Sequence, residues 1–188
     1  MGILRRPHRA CTTAALLLLA CVTAASGPAS AAPTPAEVEA VFLFNFSQFV
    51  DWPPRTFADQ NAPIVIGVLG SDPFGVSLDE VVRGEVVKGH PLVVRRFRRL
   101  EDLTDCQILF ISRSERARLD SILKTLQGRS ILTVSDFEDF AREGGVICFV
   151  LVENKIRLRV NLEAAKAAGL TLSSKLLRPA QIVTAGEG

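Results

Sequence analysis

The chain has 188 residues, with 22 lysines and arginines against 20 aspartates and glutamates, and a formal net charge of +2. Three of the basic residues and none of the acidic ones fall within the first 31 positions, which leaves 19 basic against 20 acidic residues in the remainder. Such a balance lacks the basic surface with which proteins bind nucleic acid or an anionic membrane. We therefore expect no nucleic-acid partner.

The first 31 residues have the order of a secretory signal peptide. Basic residues come first, an apolar run over residues 14–22 follows, and Ala29-Ser30-Ala31 places small residues before a cut at Ala32. The apolar run is shorter than the ~20 residues that span a bilayer. We expect residues 1–31 to be removed and residues 32–188 to form a single domain outside the cytoplasm, where thiols can oxidise.

A second processing route is also open. The segment Leu18-Leu19-Ala20-Cys21 resembles a lipobox, in which the cysteine is acylated and becomes the new N-terminus. This route would leave the domain anchored to a membrane at Cys21, whereas a cut before Ala32 would release it.

The first predicted element of the domain is an aromatic helix. Thr34-Pro35-Ala36-Glu37 forms a capping box, which predicts a helix from there to about Val50. Aromatic residues at helical spacing are typical either of a core or of an interface. We interpret this set as a candidate partner or dimer surface, with burial in the core as the alternative: Phe42, Phe46, Phe49 and Trp52, on a stripe that also holds Val38 and Val41.

The middle of the chain alternates between apolar runs and helical segments. Continuous apolar runs predict strands that are covered on both faces, and the segments between them predict helices. The predicted strands are 63–69, 92–97, 106–111 and 131–134, and the predicted helices are 74–82, 114–126 and 135–142.

The pattern changes after Gly144-Gly145. Residues 146–152 and 155–162 are separated by Glu153-Asn154, a spacing typical of a hairpin. A helix over 163–168 and a last helix from Ser173 or Ser174 to Val183 are predicted to follow. Together these elements predict a three-layer α/β domain that has a mostly parallel sheet and an antiparallel hairpin at one edge.

The turn after the first buried strand is the candidate ligand loop. Gly70, Ser71 and Asp72 lie between a strand and a helix, where α/β sheets bind anions and other ligands. A turn with a purely structural role explains these residues as well. The segment is neither a Walker loop nor a dinucleotide fingerprint, and His90 has no metal-ligand spacing. We expect no cofactor, no metal and, because no catalytic set is assembled, no enzyme activity.

Two cysteines remain beyond the leader, Cys106 and Cys148. A disulfide between them is one interpretation, since disulfides persist outside the cytoplasm. Two buried free thiols are the other, because both residues lie within apolar runs.

Short motifs in a fixed order run through nearly the whole chain after the leader. They are residues 45–53, 66–70, 72–75, 106–111, 144–147, 157–162, 164–170 and 173–177. In this order the chain resembles the YfiR-like family of periplasmic regulatory proteins. The resemblance implies an α/β fold, a periplasmic location, a homodimer and a regulator rather than an enzyme.

The resemblance also implies partners. Such a regulator restrains the periplasmic part of an inner-membrane signalling protein, a diguanylate cyclase that controls cyclic-di-GMP and biofilm formation, and an outer-membrane lipoprotein can sequester the regulator. Cys106 matches a cysteine position of the family, and Cys148 is the other candidate for a redox pair. A periplasmic small-ligand receptor that uses the loop over residues 70–75 is the alternative function.

Overall fold

Helices and strands alternate over most of the structure, a computed structural model that describes Gly2 and residues 32–186. The helices are α1 (Pro35–Phe49), α2 (Val76–Val82), α3 (Leu119–Leu126), α4 (Leu162–Ala167) and α5 (Ser174–Leu177). The strands are β1 (Val50–Asp51), β2 (Ile64–Leu69), β3 (Val86–Val87), β4 (His90–Phe97), β5 (Ile108–Ile111), β6 (Leu132–Ser135), β7 (Ile147–Val152), β8 (Lys155–Asn161), β9 (Thr171–Leu172) and β10 (Gln181–Val183). Apart from Gly2, the predicted signal peptide and its alternative anchor at Cys21 lie outside the described residues.

An eight-stranded sheet in the order β10-β8-β7-β6-β5-β2-β4-β3 forms the centre of the fold. The neighbours from β4 to β7 are parallel, β7 and β8 form an antiparallel hairpin, and β10 adds in parallel outside β8. One apolar cluster, under α1 and α2, covers one face, and a second cluster, under α3, covers the other. The predicted fold class, a three-layer α/β domain with a mostly parallel sheet and an antiparallel hairpin near one edge, is confirmed.

Helix α1 begins as its capping box predicts. The Thr34 backbone N–H donates to Glu37 Oε2 at 2.6 Å, and the Glu37 N–H donates to Thr34 Oγ1 at 3.3 Å. The buried side of the helix differs from the predicted stripe, however. Ala40, Leu43 and Phe46 face the sheet, whereas Val41 is exposed. The small side chain of Ala40 fits against the sheet, so the helix is rotated away from the orientation that its aromatic residues alone suggest.

The hairpin of β7 and β8 extends beyond its neighbours. Its two turn residues, Glu153 and Asn154, have positive φ angles of 49° and 59°, the geometry of the type I′ turn that matches the twist of paired strands. Strand β6 pairs with β7 only at Ile147 and Cys148. Residues 150–157, which we call the hairpin tip, therefore pair with each other but not with the rest of the sheet.

Two predicted helices are wrong. Residues 135–142 form the end of β6 and a series of turns. The chain that follows packs against the Phe140 ring so closely that Gly145 has no room for a Cβ. The last helix ends at Leu177 instead of Val183. Pro179 has no N–H to continue a helix, and the chain pairs instead with β8 as strand β10.

The buried side chain of Asn161 joins three elements, and its loss should be costly. Its Oδ1 accepts the Ala164 N–H at 2.9 Å to cap α4, and its Nδ2 donates to the Ala141 carbonyl at 2.8 Å. We expect Asn161→Ala to lower the free energy of unfolding by about 2–3 kcal/mol, because a cap and a buried acceptor lose their partner together. Urea unfolding measures this. The exposed Asn61→Ala should change the value by less than about 0.5 kcal/mol, and equal effects of the two substitutions would contradict the prediction.

Candidate functional site

The carboxyl ends of β2, β5 and β6 lie at the same edge of the sheet, the edge at which parallel α/β sheets bind their ligands. The candidate ligand loop, Gly70, Ser71 and Asp72, follows β2 directly. Arg113 follows β5, and Asp136 follows β6. This edge therefore gathers most of the polar groups that could take part in binding.

The candidate ligand loop is held by contacts within the protein. The Gly70 N–H donates to the Phe97 carbonyl at 3.0 Å, and the Ser71 N–H donates to Ser114 Oγ at 3.0 Å. Gly70 has a φ of 89°, and a Cβ on it would collide with Ser114 Oγ. The glycine is thus required by a close approach of two loops, which explains the turn without any ligand.

Arg96 on β4 binds this loop to α2. Its Nε lies 2.7 Å from Asp72 Oδ2, its Nη2 lies 2.6 Å from Asp79 Oδ2, and Nη2 also donates to the Gly75 carbonyl at 2.8 Å. The hydrogen bond from Arg96 lowers the pKa of Asp79 below its usual range, and the same bond raises the pKa of Arg96. The guanidinium group of Arg96 therefore links the loop to the helix, and its hydrogen bonds are made to groups of the protein itself.

A buried carboxyl group on α1 lies near this edge. Glu39 is only 7% exposed. Burial raises the pKa of Glu39 to about 7; the negative charge of Asp136 adds to this shift, and Arg113 opposes it. Arg113 Nε lies 2.7 Å from Asp136 Oδ2, while Asp136 Oδ1 is buried and has no hydrogen-bond partner among the described residues.

The sequence analysis did not identify Glu39 because a glutamate on a helix is ordinarily solvated. One signal was available. Glu39 stands four residues before Leu43 and seven before Phe46, so it lies on the face that those two residues bury.

The aromatic residues of the candidate partner surface separate into two groups. Phe46 is 1% exposed and stacks on Phe149 with 5.9 Å between ring centroids, so it belongs to the core. Phe42, Phe49 and Trp52 are half-buried and keep part of their surface in solvent. Phe42 packs on the ring of Phe149 at 5.8 Å, and the Trp52 indole Nε1 donates to the Gln107 carbonyl at 3.1 Å. A partner or dimer surface at these three residues stays a prediction.

The candidate disulfide is not formed, because Cys106 and Cys148 are both free and buried. Cys148 of β7 pairs with Ser135 of β6, and the register between β6 and β5 puts Ser135 beside Ile111. Ile111 is five residues after Cys106 along the chain. Two strand spacings of about 5 Å and five residues of about 3.3 Å place the two Cα atoms nearly 20 Å apart. A disulfide requires less than about 7 Å. Burial raises the pKa of each thiol to about 12.

Two cavities lie away from the candidate ligand loop. A groove of about 470 Å³ is bounded by α3 and α4, with Leu123, Arg129 and Ala164 in its walls. A second cavity of about 230 Å³ has Phe57 and Gln107 in its walls. Gly70, Ser71 and Asp72 line neither of them.

The described residues place two further bounds on the site. They contain no group of three or more histidine, cysteine, aspartate or glutamate side chains arranged to hold a metal ion. Within the same part of the chain, no helix has the length and apolar character needed to cross a membrane.

A family model matches residues 36–181, which is most of the domain described above. The match places the chain in a class of regulatory proteins. Within that class, the chain belongs to the YfiR/HmsC-like family, DUF4154. The resemblance that the ordered motifs suggested is confirmed.

Nine chains of solved structures are similar to this fold. One is the ABC domain in complex with L-Trp from Streptococcus pneumonia, with a TM-score of 0.52 and 12% sequence identity. The match covers 79% of this chain and 60% of that one, so this chain spans less than two thirds of the matched structure. At such low identity the likeness shows the fold alone. No curated protein matches the chain.

The raised pKa of Glu39 predicts a pH-dependent stability. Because the folded-state pKa of about 7 lies above the ordinary 4.5, the folded protein holds the extra proton between these values. The stabilisation that protonated Glu39 provides is therefore lost as the pH rises from 4.5 through 7. The free energy of unfolding falls by about 3 kcal/mol over this range. We expect Glu39→Gln, which stays neutral, to remove this loss. Urea unfolding at pH 5 and pH 8 measures it, with the exposed Glu80→Gln as the matched control. A wild-type pH dependence in Glu39→Gln would contradict the assignment.

The two thiols should be unreactive in the native protein. Both are buried and protonated at neutral pH, and only the thiolate reacts with alkylating reagents. We expect iodoacetamide to modify Cys106 and Cys148 rapidly in guanidinium and only very slowly without it, as measured by mass spectrometry of the peptides. A cross-linked peptide that contains both residues, after digestion without reductant, would overturn the free-thiol assignment.

Proposed function

We propose that this protein is a periplasmic signalling regulator that binds the periplasmic part of an inner-membrane signalling protein and restrains it. The proposed partner is a diguanylate cyclase, so the output is the cellular concentration of cyclic-di-GMP. The observation that carries the proposal is membership of the YfiR/HmsC-like family across residues 36–181. The leader over residues 1–31, with its expected cut before Ala32, supports a periplasmic location.

The surface of the domain supports regulation through protein contact. Phe42, Phe49 and Trp52 are half-buried at one face, and Leu151 and Val152 stand in solvent at the hairpin tip. Large apolar side chains of this kind act as anchors when two proteins bind. The half-buried aromatic residues suit a homodimer contact or a second protein partner, and an outer-membrane lipoprotein that removes the regulator from the cyclase is such a partner.

Restraint requires a difference in affinity between two states of the partner. A regulator that bound the active and inactive cyclase equally well would change nothing, however tightly it bound. The proposed regulator therefore recognises the inactive arrangement of the periplasmic domain. No catalytic step is needed on the side of the regulator.

Deletion of the gene tests the proposal in the bacterium that carries it. We expect the cyclic-di-GMP concentration to rise in the deletion strain and to fall again when the wild-type chain is restored. The tagged chain should co-purify from solubilised inner membranes with a protein that contains a diguanylate cyclase domain. Adding the pure chain to that protein should lower its cyclase activity.

Two variants locate the contact. Phe42→Ala removes a half-buried aromatic side chain from the candidate surface and should weaken the restraint, provided that a melting curve shows a folded domain. Val86→Ala removes an exposed apolar side chain from strand β3 and should restore normal cyclic-di-GMP. Unchanged cyclic-di-GMP in the deletion strain, together with no effect of the pure chain on the cyclase, would refute the proposed function.

A further inference from the structure

We propose that the outer edge of β8 at the hairpin tip binds an extended acidic segment of a partner protein, which adds to the sheet as a further strand. The inference rests on the proposed function, since it names the surface and the chemistry by which the regulator would hold its partner. Its parts are the free backbone edge, the charges on one face of the hairpin and the apolar side chains on the other face.

The backbone edge is free because β10 is shorter than β8. Strand β8 pairs with β7 from Lys155 to Val160, but β10 covers only Arg159–Asn161. The Asn161 N–H donates to the Val146 carbonyl, so odd-numbered residues of β8 point their backbone groups toward β7 and even-numbered residues point outward. The outward N–H and C=O of Ile156 have no hydrogen-bond partner among the described residues.

One face of the hairpin tip carries positive charge. Lys155 and Arg157 are both exposed on it, and neither forms a salt bridge with any described residue. Arg159, on the same face, lies 3.3 Å from Glu138 and is already paired. An added strand would place every second side chain beside Lys155 and Arg157, and opposite charges across neighbouring strands stabilise their pairing. These side chains of the partner are therefore aspartate or glutamate.

The other face of the hairpin tip is apolar. Leu151 is 58% exposed and lies directly across from the half-buried Ile156. The remaining side chains of an added strand would lie against this pair, so the partner segment alternates acidic with apolar residues. Charged residues at a sheet edge can also serve to prevent unwanted pairing. That role explains Lys155 and Arg157, but it does not explain an exposed leucine beside them.

The charges favour another protein over a second copy of this chain. Two β8 edges joined in antiparallel fashion would form one continuous sheet, with Lys155 and Arg157 of both copies on the same face. Like charges on neighbouring strands destabilise the pairing. The occupant is therefore an acidic segment, and strand addition of this kind is a common mode of peptide recognition.

Two synthetic heptapeptides test the inference with the purified protein. In one, glutamate alternates with valine; in the other, lysine replaces each glutamate. We expect the glutamate peptide to bind about tenfold more tightly, because its glutamates pair with Lys155 and Arg157 whereas lysines would be repelled by them, as measured by fluorescence anisotropy. Amide hydrogen exchange followed by NMR should show new protection at Ile156, whose N–H points outward, and no new protection at Arg157, whose N–H already faces β7.

Charge reversal supplies the matched variants. The double variant Lys155→Glu/Arg157→Glu should reverse the preference so that the lysine peptide binds more tightly, an effect that unfolding cannot produce. Arg157→Glu alone leaves one charge of each sign and should abolish the preference. Arg98→Glu changes an exposed arginine that follows β4, near the opposite edge of the sheet from β8. This variant should keep the wild-type preference. Equal affinity of the wild type for the two peptides, an unprotected Ile156 amide, or the same change in the double variant and in Arg98→Glu would overturn the inference.

The outcome is separable from that of the proposed function. If Arg157→Glu restrains the cyclase as well as the wild type does, the regulator assignment stands and this surface is wrong. If the peptides bind as expected while deletion leaves cyclic-di-GMP unchanged and the pure chain has no effect on the cyclase, the surface stands and the regulator assignment fails.

Discussion

Helix α1 lies against the sheet through Ala40, Leu43 and Phe46, and much of the remaining structure depends on this contact. Phe46 stacks on Phe149 of β7, so the contact joins the first element of the domain to a strand far along the chain. A helix that is buried on one side by large side chains has little freedom to rotate or slide. Its two ends are therefore placed at the two ends of the parallel strands.

Each end of α1 has a distinct consequence. Toward the carboxyl ends of the strands, Glu39 lies near Asp136 and Arg113, on the side of the helix that Leu43 and Phe46 bury. At the other end, Val50–Asp51 pairs with β9, and Trp52 donates to the carbonyl of Gln107. The helix thus extends from the polar groups at the carboxyl ends of the parallel strands to β9, the strand that comes before α5.

Local sequence signals predicted the elements well, and packing decided the rest. The capping box at Thr34, the apolar runs of the parallel strands and the two-residue turn of the hairpin act over a few residues, and each is present as predicted. The rotation of α1, the burial of Glu39 and the pairing of β10 depend on which distant strand each segment meets. Those contacts join residues far apart in the chain, and a single sequence does not show them.

The cysteines illustrate the same limit. An even number of thiols in a chain with a predicted leader agrees with a disulfide, but the strand register places Cys106 and Cys148 toward opposite ends of the parallel strands. The candidate ligand loop is similar, because its glycine and aspartate fit either a ligand or a tight turn. The contacts of Arg96 with Asp72 and Asp79 account for the turn.

The unpaired, buried cysteines also bear on where the chain can fold. No covalent cross-link joins the described residues, so the native state owes nothing to an oxidant or to a thiol–disulfide isomerase. Its stability comes from apolar burial and from internal hydrogen bonds, which are the same in reducing and oxidising surroundings. Synthesis without the leader in a reducing compartment should therefore reach the same native state as synthesis with export.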